Sequence, residues 1–439
     1  MLSNPDRQLV RRDAAVPGLA LVLDHDLVLD AVRRVWPEDA VATLTSSYLK
    51  YKPGTLCLAG YIAHTPHGPL PLYALACSAV QYARVRACRP TAIDTSTATF
   101  APALLDEHHV ALWRFPADRK LVGLPGLAVP ELRSRLLRKL LPDESRLWSA
   151  RLEILCYKPE RRFVGKLVAD DRAVAVVKAY DAGDFENAWR AAKTVKGIAA
   201  REPLTVSRAL GRSRSQRLIV SRWLAGRPLS GLLSAAAGCA AHRIGEVGSA
   251  LAELHRQGSR HLASIAPEGE AMAVLTAANA AAVLCPTLAA KVRELGVRVA
   301  TELLASANGQ CLVHGDFSAD QVLVGGDGIA IIDYDRAGLG DPGVDLGSFV
   351  AQLERDQVAD RLSATRVGEI AGALIDGYCS RARCRRPLHT DLFVTAGLLR
   401  LAPHSFRMRH IDWPEQIERM VQRAERVFAD HCRGRAAGS

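Results

Sequence analysis

Lysine is the scarce residue in this chain: ten of its 57 basic positions are lysine and the rest are arginine, over 439 residues. A lysine inside an apolar segment is therefore informative. Aromatic residues make up only 5% of the chain, and long blocks of lysine and arginine are missing. The net charge of +11 thus reads as an arginine-rich surface able to recruit a small anion, and not as a nucleic-acid interface. The ten cysteines are scattered from Cys57 to Cys432 without a CxxC pair, and only Cys379 and Cys384 lie close together. That spacing argues against a zinc site or a disulfide framework and predicts reduced, mostly buried thiols. Long apolar runs are lacking too. The opening MLSNPDRQLVRRDAA has no hydrophobic core of a signal peptide, and the alanine-rich stretch 273–290 carries Thr, Asn and Pro. The expected location is the cytoplasm, with no membrane contact.

Hydrophobic residues reach 49%, enough for two or three domains with cores of their own. Val28, Ala31, Val32 and Val35 recur at helical spacing behind a cap expected at Asp26, and Pro37 closes that helix. Next, SSYLKYKPGTLCLAGYIAHTPHGPLPLYALAC reads as two strands around a YKPG turn followed by a third strand. About a hundred residues on, LEILCYKPERRFVGKLVADDRAVAVVKAY repeats the pattern, so the chain holds an internal repeat. Aligning the two YKP turns and the two third strands sets Leu75 opposite Lys178. The first copy is a β module without the lysine that the second holds in an apolar strand. Between the copies, residues 128–142 predict a helix with Leu132, Leu136, Leu137 and Leu140 on one face. Beyond Asp184 a helix is expected, then a strand at 217–224. Helices near 242–257, 272–307, 343–355, 364–379, 388–401 and 414–431 then surround one β island at 310–333.

The island carries the chemistry. It reads CLVHGDFSADQVLVGGDGIAIIDYDRAGLGDPGVDLGSF, with the runs QVLV and IAIID joined by a GGDG turn. Such a hairpin brings Gln321 and Asp333 near the same end of the paired strands, two oxygen donors suited to a hard cation such as Mg²⁺. Asp316, on the loop before Gln321, is placed to accept a proton from a hydroxyl.

His314-Gly315-Asp316-x4-Gln321, then Ile332-Asp333-Tyr334-Asp335, then Gly340-Asp341-Pro342 and Asp345 resemble the signature of the aminoglycoside phosphotransferase and choline kinase-like small-molecule kinases. That family's pattern is HGD-x4-N, a D-F/W-D/E element and GDPxxDL. The resemblance covers about residues 150–430. It implies an α/β, bilobal protein-kinase-like fold with a β-rich small lobe and a helical large lobe. The implied divisions are an accessory module resembling a degenerate small lobe (1–145), the small lobe (146–223), the large lobe (224–432) and a flexible tail (433–439).

By the same resemblance Asp316 is the catalytic-loop base, Gln321 and Asp333 are the metal ligands, His314 braces the loop, and Asp345 supports it from behind. Lys178 matches the family's phosphate-binding lysine, with Glu186 as its partner. The backbone of Ser221 and Trp223 matches the linker that meets the adenine edge. No glycine-rich loop precedes Lys178, so the amides of the turn 157–162, with Arg161 or Arg162, are the candidates to cover the phosphates. Arg400, His404 and Arg407 fall on the segment that walls the acceptor site. The implied cofactors are ATP and Mg²⁺, the implied partner a small-molecule hydroxyl substrate. Gln321 departs from the family's Asn. Together with the lysine-less first repeat, it leaves open a nucleotide-binding pseudokinase whose duplicated module docks a partner protein. A protein kinase is disfavoured by the lack of HRD, glycine-loop and APE elements.

Overall fold

The computed structural model describes residues 2–87, 101–233, 241–257, 262–306, 309–326, 328–384 and 389–438. The chain separates into two compact units. The first comprises Met1–Phe185, Leu210–Arg222 and Phe406–Ile411, and the second comprises Glu186–Ala209, Trp223–Ser405 and Asp412–Ser439. The boundary expected at 145/146 thus falls inside one unit.

The first unit contains two sheets of identical strand order. Strands β1 (Thr43–Lys52), β2 (Leu56–Thr65), β3 (Gly68–Cys77), β4 (Ala103–Leu105) and β5 (Val110–Arg114) form the sheet β1-β2-β3-β5-β4. Further along, β6 (Arg151–Lys158), β7 (Arg162–Ala169) and β8 (Arg172–Tyr180) follow. After β9 (Leu204–Val206), which belongs to the second unit, come β10 (Ala209–Ser213) and β11 (Leu218–Arg222), giving the sheet β6-β7-β8-β11-β10. Register confirms the alignment of the repeats. Leu75 pairs with Leu58 and Ala111, while Lys178 pairs with Val164 and Ile219, the same places in the two sheets.

The duplication reaches further than the hairpins. Helices α1 (Asn4–Arg12), α2 (Leu19–Leu23) and α3 (His25–Val35) precede the first sheet, with α4 (Ala79–Ala87) after β3. The second sheet is preceded by α5 (Leu124–Ala128) and α6 (Pro130–Leu140), equal in length to α2 and α3. Its third strand leads into α7 (Ala182–Lys196). The α3 cap is Asp24, not Asp26: the Asp24 side chain accepts from the Asp26 amide. Gly18 and Gly123 sit at matching places. A Cβ on Gly18 would lie 2.6 Å from the His108 carbonyl oxygen, and one on Gly123 would lie 2.5 Å from that of Gln216.

The two copies stack through one apolar core. Leu58, Tyr73, Leu75 and Trp113 of the first sheet, Leu124, Leu127 and Leu137 of α5 and α6, and Phe163, Ala175 and Val177 of the second sheet belong to it. Burial of side chains of this size contributes roughly 1.5–3 kcal/mol each. The face of the first sheet that corresponds to the Lys178 face is therefore filled with packed hydrocarbon, and Leu75 is 1% exposed.

The second unit is helical around small sheets. Its helices are α8 (Leu229–Leu233), α9 (Ala241–His255), α10 (Pro267–Leu284), α11 (Ala289–Ala305), α12 (Gly343–Val358), α13 (Ala364–Ala382), α14 (Thr390–Leu401), the short α15 (His404–Arg407), which straddles the division, and α16 (Trp413–Gly438). The single helix expected over 272–307 is two, because Pro286 cannot continue α10. The frayed tail expected from 433 is helical through Gly438. Strands β12 (Arg227–Pro228), β14 (Val322–Gly325), β15 (Gly328–Ile331) and β9 form one sheet. Strands β13 (Cys311–Val313) and β16 (Gly338–Gly340) form another. Of the described cysteines, all free, Cys57, Cys77 and Cys285 are buried and Cys384 is exposed, so the thiols are less buried than composition suggests. Among the described residues no helix is long and apolar enough to cross a membrane.

Candidate active site

The site in the helical unit is built on one buried carboxylate. Asp345, fully buried in the first turn of α12, accepts from the His314 amide through Oδ2 (2.6 Å) and from the Gly315 amide through Oδ1 (2.8 Å). These two bonds fix the loop that leaves β13 and carries Asp316. Oδ2 also accepts from His255 Nε2 at 2.9 Å, and His255 Nδ1 meets the Tyr378 hydroxyl at 3.0 Å. Helices α9 and α13 supply these partners because they cross closely: a Cβ on Gly248 would meet the Leu374 carbonyl oxygen at 2.0 Å. Burial opposes ionisation of Asp345, but the His255 hydrogen bond, the neighbouring histidines and the His314 amide outweigh it, so its carboxyl is held below the usual range.

His314 ties the loop to the hairpin. Its Nε2 donates to the Ile332 carbonyl at 2.7 Å and its Nδ1 accepts from the Asp316 amide at 3.3 Å, so one tautomer satisfies both bonds. Asp316 itself is exposed, on a turn whose neighbour Phe317 is buried in the core. The Gln321 amide donates to the Ser318 carbonyl (3.0 Å), and the Gln321 carbonyl accepts from the Ile332 amide (2.9 Å). Val322 pairs with Ile331, so Gln321 and Asp333 do leave the same end of the hairpin. Asp333 adopts φ 67°, a left-handed backbone uncommon for a non-glycine residue and frequent at functional turns.

The family model for the phosphotransferase enzyme family matches residues 162–390. This chain belongs to that family. As in the resemblance drawn from the motifs, the family's fold is the bilobal protein-kinase-like one, here with its small-lobe sheet preceded by a second copy. Among solved structures the phosphotransferase is similar to a choline kinase from Cryptosporidium parvum (12% identity, 68% of this chain and 95% of that one, TM-score 0.47). It is also similar to a choline/ethanolamine kinase family protein from Mesorhizobium loti (16%, 70% and 94%, TM-score 0.44). A third similar structure is the gentamicin complex of APH(2'')-IIa (12%, 67% and 96%, TM-score 0.46). The chain matches no curated protein.

The remaining expected residues are distributed over both units of this phosphotransferase. In the first, Lys178 lies on the face of β8 opposite Ala175, Val177 and Ala179, Ser221 in β11 pairs with Val176, and Arg161 is exposed on the β6–β7 turn. In the second, Glu186 is exposed on α7 and Trp223 is half-buried. Arg400 pairs with Glu270 at 2.6 Å, His404 is half-buried, and Arg407 clusters with the first unit. Arg400 and His404 fall in the second unit and Arg407 in the first. The ALAELHRQ segment marks His255 as a structural histidine by resemblance to the family, but its partner Asp345, far away in the chain, is given only by the fold.

The donors beside the hairpin suit a small hard cation. Among the described residues no cluster of three or more His, Cys, Asp or Glu side chains could hold a metal. Asp333 supplies a carboxylate and Gln321 an amide oxygen, the kind of donor that Mg²⁺ takes while water and phosphate complete its shell.

Proposed function

We propose that this phosphotransferase moves the γ-phosphoryl group of ATP to a hydroxyl of a small molecule such as an antibiotic, sugar, amino alcohol or nucleoside. The observation that carries this reading is the anchoring of the Asp316 loop by Asp345 at the two backbone amides of His314 and Gly315, beside a hairpin from whose one end Asp333 and Gln321 both leave. In this reading the acceptor oxygen attacks the γ-phosphorus while the bond from that phosphorus to the β-bridging oxygen breaks. Asp316 orients the attacking hydroxyl and takes its proton, and ADP carries away the bridging electron pair. Asp333 and Gln321 would hold Mg²⁺, which when bound neutralises charge on the phosphate oxygens. Lys178, with Glu186, holds the phosphates as a point charge, and the backbone of Ser221 and Trp223 receives the base. Arg400, His404 and Arg407 are proposed on the acceptor side. Action on a small molecule in the cytoplasm, without nucleic acid or membrane, accords with the scattered basic residues.

The alternative is a nucleotide-binding pseudokinase whose duplicated module docks a partner protein; with the Leu75 face of that module filled, the docking would use another of its surfaces. The test is to incubate the full chain with Mg-ATP and a panel of hydroxyl compounds beside Asp316→Asn. Turnover that falls about 10²–10⁴-fold in the variant is expected. Nucleotide binding with no phosphoryl transfer to any acceptor or to water, in the parent as in the variant, would overturn the proposal.

A further inference from the structure

The β1–β2 and β6–β7 turns share one design. Each closes with a backbone bond, Thr55 amide to Lys52 carbonyl (3.0 Å) and Arg161 amide to Lys158 carbonyl (3.1 Å). Each is latched to an aspartate that precedes its copy. Tyr51 Oη donates to Asp13 Oδ2 (2.6 Å), which also accepts from the Gly54 amide (2.9 Å). Tyr157 Oη donates to Asp118 Oδ2 (2.7 Å), which also accepts from the Glu160 amide (2.9 Å).

The copies differ at the third turn position. Gly54 has φ 66°, as a turn with proline before it prefers, but its counterpart at φ 58° is Glu160. A glutamate in left-handed backbone is strained, and this one is also buried, at 5% exposure. What it gains is a grip: Arg119 donates to both its carboxylate oxygens, Nε at 2.6 Å and Nη2 at 2.7 Å, and Lys120 Nζ lies 3.3 Å away. Arg119 is itself tied to the first sheet, its amide donating to Tyr73 Oη at 3.1 Å. On another side the first sheet touches the turn directly, since a Cβ on Gly60 would lie 3.2 Å from Pro159 Cγ. The surroundings are cationic. Burial, then the charges of Lys120 and Lys52, push the Lys50 ammonium down; Glu160 opposes this and Arg161 adds to it.

We infer that Glu160, gripped by Arg119 and Lys120, is a positioning residue that locks the β6–β7 turn in place over the nucleotide phosphates. The inference rests on the reading above that this turn covers the nucleotide. The first β module then acts as a rigid support for the turn. A backbone fixed before binding loses less freedom on binding, and so favours affinity over turnover.

The test uses the full chain with Glu160→Gln, which removes the charge, Glu160→Gly, which restores the residue preferred by the twin turn and relieves strain, and Asp13→Asn as a control in the first copy. Titration calorimetry with Mg-ATP and steady-state kinetics give Kd, KM and kcat, and hydrogen exchange reads the amides of residues 158–162. Both Glu160 variants should weaken nucleotide affinity about tenfold, with KM raised and kcat held near the parent value. Turn exchange should accelerate by a similar factor, while Glu160→Gly keeps or raises the melting temperature. Arg119→Lys should recover part of the effect of Arg119→Gln. Asp13→Asn should lower stability without altering affinity. Unchanged exchange in the Glu160 variants overturns the lock. Faster exchange with affinity within twofold of the parent overturns its role in nucleotide binding. A parent that binds no Mg-ATP, while Glu160→Gln still loosens the turn, refutes the nucleotide reading and supports the lock.

Discussion

The two β modules of the first unit are the same scaffold with different residues at two of its positions. Both carry the strand order of a small lobe, both open with a short helix and a longer one, and both fasten their first turn by a tyrosine and an amide on one aspartate oxygen. They part at Leu75 against Lys178 and at Gly54 against Glu160. In the first module these positions hold the residue the local fold prefers, an apolar side chain in a packed face and a glycine in a left-handed turn. In the second they hold charges that the fold alone would not select. A duplicated scaffold thus acts as an internal control: positions that agree report on folding, and positions that disagree at an energetic cost report on function.

The comparison can be broken most severely by Leu75→Lys. The face around Leu75 is packed hydrocarbon, so the ammonium would have to shed its proton on folding and its folded pKa would fall well below the ordinary value of about 10.4. The penalty therefore grows as pH falls from about 10 towards that lowered value, reaching about 5 kcal/mol at pH 7. Denaturant unfolding at pH 7 and pH 9 should find the variant less stable at the lower pH relative to the parent. Equal destabilisation at both values would show that the ammonium reaches water. The reverse exchange, Lys178→Leu, should leave the fold intact by circular dichroism and reduce kcat about 10²–10³-fold, the loss typical of one electrostatic contact in a transition state.

Smaller changes test the agreement between the copies. Gly18→Ala and Gly123→Ala each push a methyl into the carbonyl that faces it, and each should cost about 1–3 kcal/mol in urea unfolding. A loss confined to one copy would mean that the helices are not equivalently seated. The smallest effect is expected for Tyr51→Phe and Tyr157→Phe. Each removes one hydrogen bond to a carboxylate, for about 1–2 kcal/mol, and the double variant should be additive because the latches share no partner.

Much of the helical unit's site was legible in the chain. Gln321 and Asp333 come together because a short hairpin of known register leaves little freedom, and Asp316 lies on the loop just before it. The brace could not be read in the same way. His255 and Tyr378 meet Asp345 only through the close crossing of α9 and α13, a relation between helices remote in sequence. In the first unit the repeated YKP turn discloses the strands, but the helical half of the repeat has no such mark, because α3 and α6 share length and a following proline with little residue identity. Asp13 and Asp118, each one carboxylate in a polar stretch, gave no signal of their latches.

The sequence by itself determined what local rules govern: the strand and helix periods, the repeat, the lysine that stands in the second copy where the first has Leu75, and the spacing of the phosphotransferase motifs. Only the tertiary structure decided which face of the first module would be buried, that Asp345 would gather His255 and two backbone amides, and that a strained glutamate would be held by the arginine one residue past its copy's aspartate. The reason is physical. Local preferences act over a few residues, whereas burial and ion pairing depend on which distant segments share a neighbourhood, and that is fixed only when the whole core packs.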